Sequence, residues 1–190
     1  IAEFDLADVS RNPATFDPDK LSWMNGEYIR AMETGAFSTL VRPYVEAELG
    51  RPLDADEWGR FSAVASLVQE RTKLLPDAGS QVAFLFEDFD SYDAGSWDKV
   101  MTKEGVSAVI AAGIEAVAGA EPWGVASVEA ALRALPDHLG IGAGKTFQPL
   151  RVAVTGSSVS PPLFESITAL GRERTLERLH RAARELAAQS

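Results

Sequence analysis

The chain contains no cysteine. That excludes a disulfide framework, a thiolate metal site and a cysteine nucleophile. Histidine is nearly absent: His138 and His180 stand far apart, with no cluster of further ligands around either. Zinc sites and Ser-His-Asp triads need imidazole next to other ligands or to a nucleophile, so neither chemistry is expected. No apolar run approaches the roughly 20 residues that cross a bilayer. Residues 1–10, IAEFDLADVS, lack a basic region and an initiator Met. We therefore expect neither a signal peptide nor a natural start, and a cytoplasmic piece of something longer. Long alternating strand patterns and internal repeats are missing too.

What is present is enough apolar material for a packed core, 46% of 190 residues, which fits one domain or two small ones. The net charge of −10 argues against indiscriminate nucleic-acid binding. Its distribution is uneven. Residues 1–144 hold 11 basic and 24 acidic side chains, whereas residues 145–190 hold 7 basic and 4 acidic ones. An acidic body with a basic tail can still bind an anion on one selected face.

Helix signals dominate. Asp17-Pro18 reads as an N-cap followed by proline at the first helical position, with Leu21, Met24 and Tyr28 on one face. AFSTLVRPYVEAELG ends at Gly50 and is bent or broken at Pro43. Asp54 to Glu57 forms a capping-box pattern, and Trp58, Phe61, Ala65 and Val68 follow at helical spacing. A short helix is expected over about 81–86. The acidic run EDFDSYD (87–93) then reads as a solvated linker and subdomain boundary. An Ala-rich helix capped by Thr102 should span 102–117, and another 123–135, closed by Pro136. GIGAG (140–144) enters the segment holding Arg151. The last helix starts near Arg172 with Leu176, Leu179, Ala183 and Leu186 as its apolar stripe. The fold class is all-α, with two small helical bundles.

Several motifs invite chemistry and fail on spacing. GIGAGK (140–145) followed by Thr146 fits the end of a Walker loop, but the first glycine would have to stand where Leu139 does. A turn into a helix is the reading, with Lys145 left as a possible phosphate contact. Asp88, Asp90 and Asp93 lack the later glycine and glutamate of a calcium loop. The arginines of GRERTLERLHRAAR read as a solvated face paired to Glu173 and Glu177, with a local positive field for RNA as the lesser reading. Arg151 is different, because it lies inside the apolar run of QPLRVAVTGSSVSPPLFE (148–165). A guanidinium there must reach a surface or be paired, and its five donors suit base edges or phosphates. Ser160-Pro161-Pro162 reads as an N-cap with proline at the first helical position, leaving free N–H groups. Recognition and ordinary capping both fit these residues.

Four stretches carry a family resemblance: FDPDKLSWMNGEYIR (16–30), LVQERTKLLPD (67–77), GKTFQPLRVAVTGSSVSPPLFE (144–165) and LGRERTLERL (170–179). Together they resemble the C-terminal, anticodon-binding region of bacterial glutamyl-tRNA synthetases, class I enzymes, in the family's order across nearly the whole chain. The resemblance implies the end of a stem-contact region over 1–30 and two helical anticodon-binding subdomains, 31–88 and 89–190. It implies that Arg71 reads the third anticodon base, that Arg151 is a second anticodon contact, and that Pro161 and Leu163 line the pocket for flipped-out bases. Ser160 falls where relatives carry threonine.

The family's ATP-site signatures, of HIGH and KMSKS type, are absent from these 190 residues. ATP and Mg would serve a catalytic domain outside the chain, and the fragment itself should need no cofactor and make no bonds. The implied partners are tRNA(Glu), with tRNA(Gln) as a second candidate, and the catalytic domain of the same polypeptide; a monomer is expected. Trp23 and Tyr28 read as core or interface aromatics. The competing function is a non-catalytic helical protein-interaction module, and a self-contained enzyme ranks last for want of a nucleophile–base pair.

Overall fold

The computed structural model describes residues 16–189, and every regular element in it is helical. Residues 1–10, read above as neither signal peptide nor natural start, lie outside the described residues, as does half of the segment assigned to the stem-contact region. In chain order the helices are α1 (Pro18–Ala31), α2 (Thr34–Leu49), α3 (Ala55–Gln69), α4 (Asp77–Val82), the one-turn α5 (Ala94–Ser96) that runs into a π-helical turn (Trp97–Met101), α6 (Val106–Ala118), α7 (Val125–Arg133), α8 (Leu135–Leu139), α9 (Ala143–Thr155), α10 (Leu163–Leu170) and α11 (Arg172–Ala188). A 3-10 turn, Ala83–Leu85, extends α4. No helix of the described residues is long and apolar enough to cross a membrane.

Local chemistry sets the ends of the early helices as the sequence suggests. The Asp17 side chain accepts from the Lys20 amide with Pro18 in the first turn, satisfying a donor that a helix start leaves open. Asp54 and Glu57 close a full capping box on α3. Gly50 ends α2 at φ 66. Pro43 does not break α2, which runs through it without interruption; α9 likewise runs through Pro149.

Other expectations need correction. Thr102 does not cap the Ala-rich helix. Its hydroxyl donates to the Asp98 carbonyl behind it, and α6 starts later, after Gly105 at φ 83. Pro136 does not close a helix but lies in the first turn of α8, where proline's missing N–H costs nothing. Of the core-or-interface reading of Trp23 and Tyr28, the core half is corrected: they are 56% and 71% exposed, and the buried residues of α1 are Gly26 and Ile29.

The largest departure concerns the acidic run and the final arginines. The run's carboxylates are exposed, but its backbone is not a free linker, because the α11 arginines hold its carbonyls. Arg178, only 4% exposed, donates to the carbonyls of Phe84, Glu87 and Val154 and to the Asp88 carboxylate, at 2.8 to 2.9 Å. Arg174 binds the Leu85 carbonyl and Asp88. Arg181 binds the carbonyls of Phe89 and Asp90. Arg178 and Arg181 also lie about 5 Å over the Phe89 ring, a cation–π geometry. The carboxylate of Asp88 is held below its usual range by hydrogen bonds from Arg178 and then Arg174. Among the described residues these arginines pair with Asp88 and, for Arg181, Glu185, and none pairs with Glu173 or Glu177.

The core continues around this junction. α11 packs on α6 and α9, and α10 on α3, α7 and α11. α2 packs closely on α4 at Gly79, where an added Cβ would stand 2.7 Å from the Tyr44 carbonyl oxygen.

Three outcomes follow from these contacts. Arg178→Met should lower the unfolding free energy by about 3 kcal/mol in urea titration, since it leaves buried carbonyls without donors, and Arg178→Lys should recover little of it. Gly79→Ala should destabilise by about 1–3 kcal/mol through overpacking against backbone. The third outcome is a pH effect. Arg51 grips Glu57 with two 2.8 Å bonds, which hold the Glu57 carboxyl at about 2, below its ordinary 4.5. A depressed folded-state value stabilises the fold above the ordinary value, and that stability is lost as pH falls from 4.5 toward about 2. Glu57→Gln should therefore flatten the acid limb of a stability–pH curve in that window.

Candidate nucleic-acid interface

Arg71 follows α3 and is exposed, whereas Arg151 lies in the third turn of α9 and is half-buried. The two are 80 positions apart in sequence yet converge on one acceptor. Arg71 Nη1 donates to the Ser160 carbonyl oxygen at 3.0 Å, and Arg151 Nη1 donates to the same oxygen at 3.3 Å. Arg151 Nη1 also donates to the Ser160 hydroxyl and, at 2.6 Å, to the Pro161 carbonyl. The Nε and Nη2 groups of both arginines make no hydrogen bond among the described residues, so each guanidinium keeps donors for a ligand.

The electrostatics of this pair are unusual for an acidic chain. Burial, and secondly the charge of Arg71, push the Arg151 guanidinium below its usual value, while Glu165 acts in the other direction. One Glu165 carboxylate oxygen is buried without a hydrogen-bond partner. Two like charges share a carbonyl, and no carboxylate hydrogen-bonds to either. An incoming acceptor, such as a base edge or an anion, would relieve that repulsion.

The loop 156–162 between α9 and α10 carries the shared acceptor, and it is tethered along its length. Gly156 caps α9 at φ 80, and its carbonyl accepts from the Asp93 amide at 2.8 Å. An added Cβ there would meet the Phe89 ring at 3.2 Å, so both conformation and packing favour glycine. Ser158 bonds Ser96 through its amide and hydroxyl, both at 2.9 Å. The Pro161 carbonyl also takes the Ser160 hydroxyl at 2.9 Å and the Ser166 hydroxyl at 3.3 Å.

The predicted site residues thus fall into distinct positions. Arg71, Arg151, Ser160 and Pro161 meet at this loop. Ser160 is not an N-cap, however. The N-cap of α10 is Pro162, with no side-chain cap bond, because the Ser160 hydroxyl is already engaged by Arg151 and Pro161. Ser160 is 3% exposed, and Pro161 and Leu163 are buried as well. Lys145 lies apart from the pair, in the first turn of α9; the glycines before it form the expected turn, with Gly140 left-handed and Gly142 as N-cap. Val159, on the same loop, is 74% exposed, which sequence reasoning did not anticipate. A lone valine between serines carries no pattern that would have marked it.

The profile of the anticodon binding domain family matches residues 36–183. The chain belongs to that family. Among curated proteins, the glutamate–tRNA ligase of Mycolicibacterium paratuberculosis is 41% identical over 190 residues, covering 100% of this chain and 38% of that protein. The glutamate–tRNA ligase of Mycolicibacterium gilvum is 43% identical over 189 residues, covering 99% and 38%. The chain therefore spans less than two fifths of the length of these relatives. Among solved structures, a glutamate tRNA ligase from Elizabethkingia meningosepticum superposes with a TM-score of 0.74 at 23% identity, over 96% of this chain and 35% of that one. That likeness shows that this anticodon-binding domain has the all-helical fold of the corresponding region.

Because Arg151 anchors the loop through three acceptors and Arg71 touches only one, their truncations should differ. Arg151→Ala should cost about 1–2 kcal/mol of stability and Arg71→Ala about 0.5 kcal/mol, read as midpoint shifts in urea.

Proposed function

We propose that this chain is the anticodon-recognition module of a glutamate–tRNA ligase, binding tRNA(Glu) so that a catalytic domain elsewhere in the polypeptide can charge the 3′ end with glutamate. The observation that carries the reading is the convergence of Arg71 and Arg151 on the Ser160 carbonyl. Membership of the anticodon-binding family supplies the RNA target. Sequence-specific RNA recognition reads splayed, single-stranded bases by stacking and by hydrogen bonds to their edges. Two guanidinium forks with free donors provide the edge contacts. Val159 beside them offers an apolar surface to a base.

In this reading residues 31–88 supply Arg71 and residues 89–190 supply Arg151 and the loop, while residues 1–30 continue toward the stem-contact region. Arg71 reads the third anticodon base. Arg151 is an anticodon contact that also fixes loop 156–162, with Ser160, Pro161 and Leu163 as the supporting wall. The overall acidity suppresses unwanted RNA, because only phosphates positioned over the few free cations escape repulsion. A bidentate donor favours one base over another, so Arg71 favours tRNA(Glu); tRNA(Gln) is the substrate against which that preference is measured. The module acts as a monomer in the cytoplasm.

The test uses the parent ligase. Arg71→Ala, which leaves the fold nearly untouched, should raise KM for tRNA(Glu) by about tenfold or more, the equivalent of losing one good base contact, with KM for ATP and glutamate unchanged. Arg151→Ala should also raise KM for tRNA. If both variants keep wild-type tRNA kinetics, the arrangement is structural, and the chain is better read as a helical protein-interaction module.

A further inference from the structure

Most arginines of the described residues are already engaged by the fold's own carboxylates and carbonyls. The lysines are not. Lys20, Lys73, Lys99, Lys103 and Lys145 are the only lysines of the sequence, and the last three line a single cleft of about 930 Å³. They arrive there from two separate segments. Lys99 lies in the π-helical turn, Lys103 just beyond it, and Lys145 in the first turn of α9. None of the three makes an ion pair or a side-chain hydrogen bond among the described residues, although Glu104 also lines the cleft.

The three are exposed and unpaired in a chain of net charge −10, so their charge stays available on one local face. That face suits an anionic ligand. The lysines carry the assignment, and the amino-terminal ends of α6 and α9, which reach the same cleft at Gly105 and Gly144, add partial positive charge. The cleft also shares two elements with the arginine site, the 156–162 loop and α9. Ser158 lines it and belongs to the loop whose Ser160 carbonyl Arg71 and Arg151 share. Gln148 lines it one helical turn before Arg151.

We propose that this lysine-lined cleft holds the sugar-phosphate backbone of the RNA strand whose bases meet Arg71 and Arg151, a role distinct from reading those bases. The division follows from side-chain chemistry. Ammonium groups are rotatable point charges suited to phosphate, whereas guanidinium forks suit planar base edges. Phosphate contacts set register and affinity without carrying sequence information. The proposal rests on the tRNA reading above.

The experiment measures Kd of this chain for an anticodon stem-loop RNA of tRNA(Glu), and for the same RNA with its third anticodon base replaced, from about 50 to 300 mM KCl. The unchanged chain is compared with the Lys99→Gln/Lys103→Gln/Lys145→Gln variant and with each single variant. Each lost phosphate contact should make the slope of log K against log salt shallower by about 0.7, and the triple variant by about 2. The preference for the native third base should stay as it was, and the melting temperature should not move, since these side chains hold nothing else. A triple variant with the wild-type salt slope overturns the proposal while leaving the tRNA reading intact. So does one that loses base preference in step with affinity. If the unchanged chain shows no anticodon-dependent binding at all, the tRNA reading fails and the cleft assignment falls with it.

Discussion

The structure depends on one buried cation. Arg178 takes carbonyls from the end of the α4 region, at Phe84 and Glu87, and from α9, at Val154. Among the described residues no other side chain hydrogen-bonds to both segments. Its position in α11, a helix packed on α6 and α9, means that the last element of the chain holds the middle of the chain against the element that carries Arg151. A guanidinium suits the task because its donors are fixed in one plane and it is less strongly hydrated than an ammonium. The three carbonyls and the Asp88 carboxylate offset the cost of taking the charge out of water.

With that junction in place, the geometry at Ser160 follows. Arg71 leaves the end of α3, Arg151 projects from α9, and α10 packs on both α3 and α9, so the loop feeding α10 passes between two cations. The main chain of that loop is the acceptor for both. Main-chain acceptors hold the forks in place without neutralising them, which keeps their charge and spare donors available. Arg174, Arg178 and Arg181 are arginines of similar sequence surroundings, but they are consumed by Asp88 or by carbonyls inside the fold. Acidity overall and a cationic face locally are thus compatible, because pairing is selective by position.

Much of this was legible in the sequence where the signal was local. The caps at Asp17 and Asp54, the stop at Gly50 and the turn at 140–144 are set by residues within one helical turn, and the structure has them where the pattern puts them. Legibility failed where a long-range partner decided the outcome. The acidic run looked like a linker because nothing nearby in sequence holds it; its carboxylates are exposed as expected, yet the arginines that bind it come from about 90 residues away. Ser160 looked like a cap because serine before proline usually is one; Arg151 takes its hydroxyl instead, and α10 starts without a side-chain cap. Motif resemblance marked Arg71 and Arg151 as residues of one function. That both bond to a single carbonyl oxygen needed the fold, as did the exposure of Val159 and the gathering of three lysines from two segments.

The central claim is that Arg71 and the third anticodon base act on each other directly. A double-mutant cycle tests it most directly, crossing Arg71→Ala with replacement of that base in a tRNA(Glu) anticodon stem-loop, with Kd measured at fixed salt. The account predicts a coupling of about 1–3 kcal/mol, so that either change alone costs nearly as much as both together. Additive costs, with no coupling between residue and base, would contradict it.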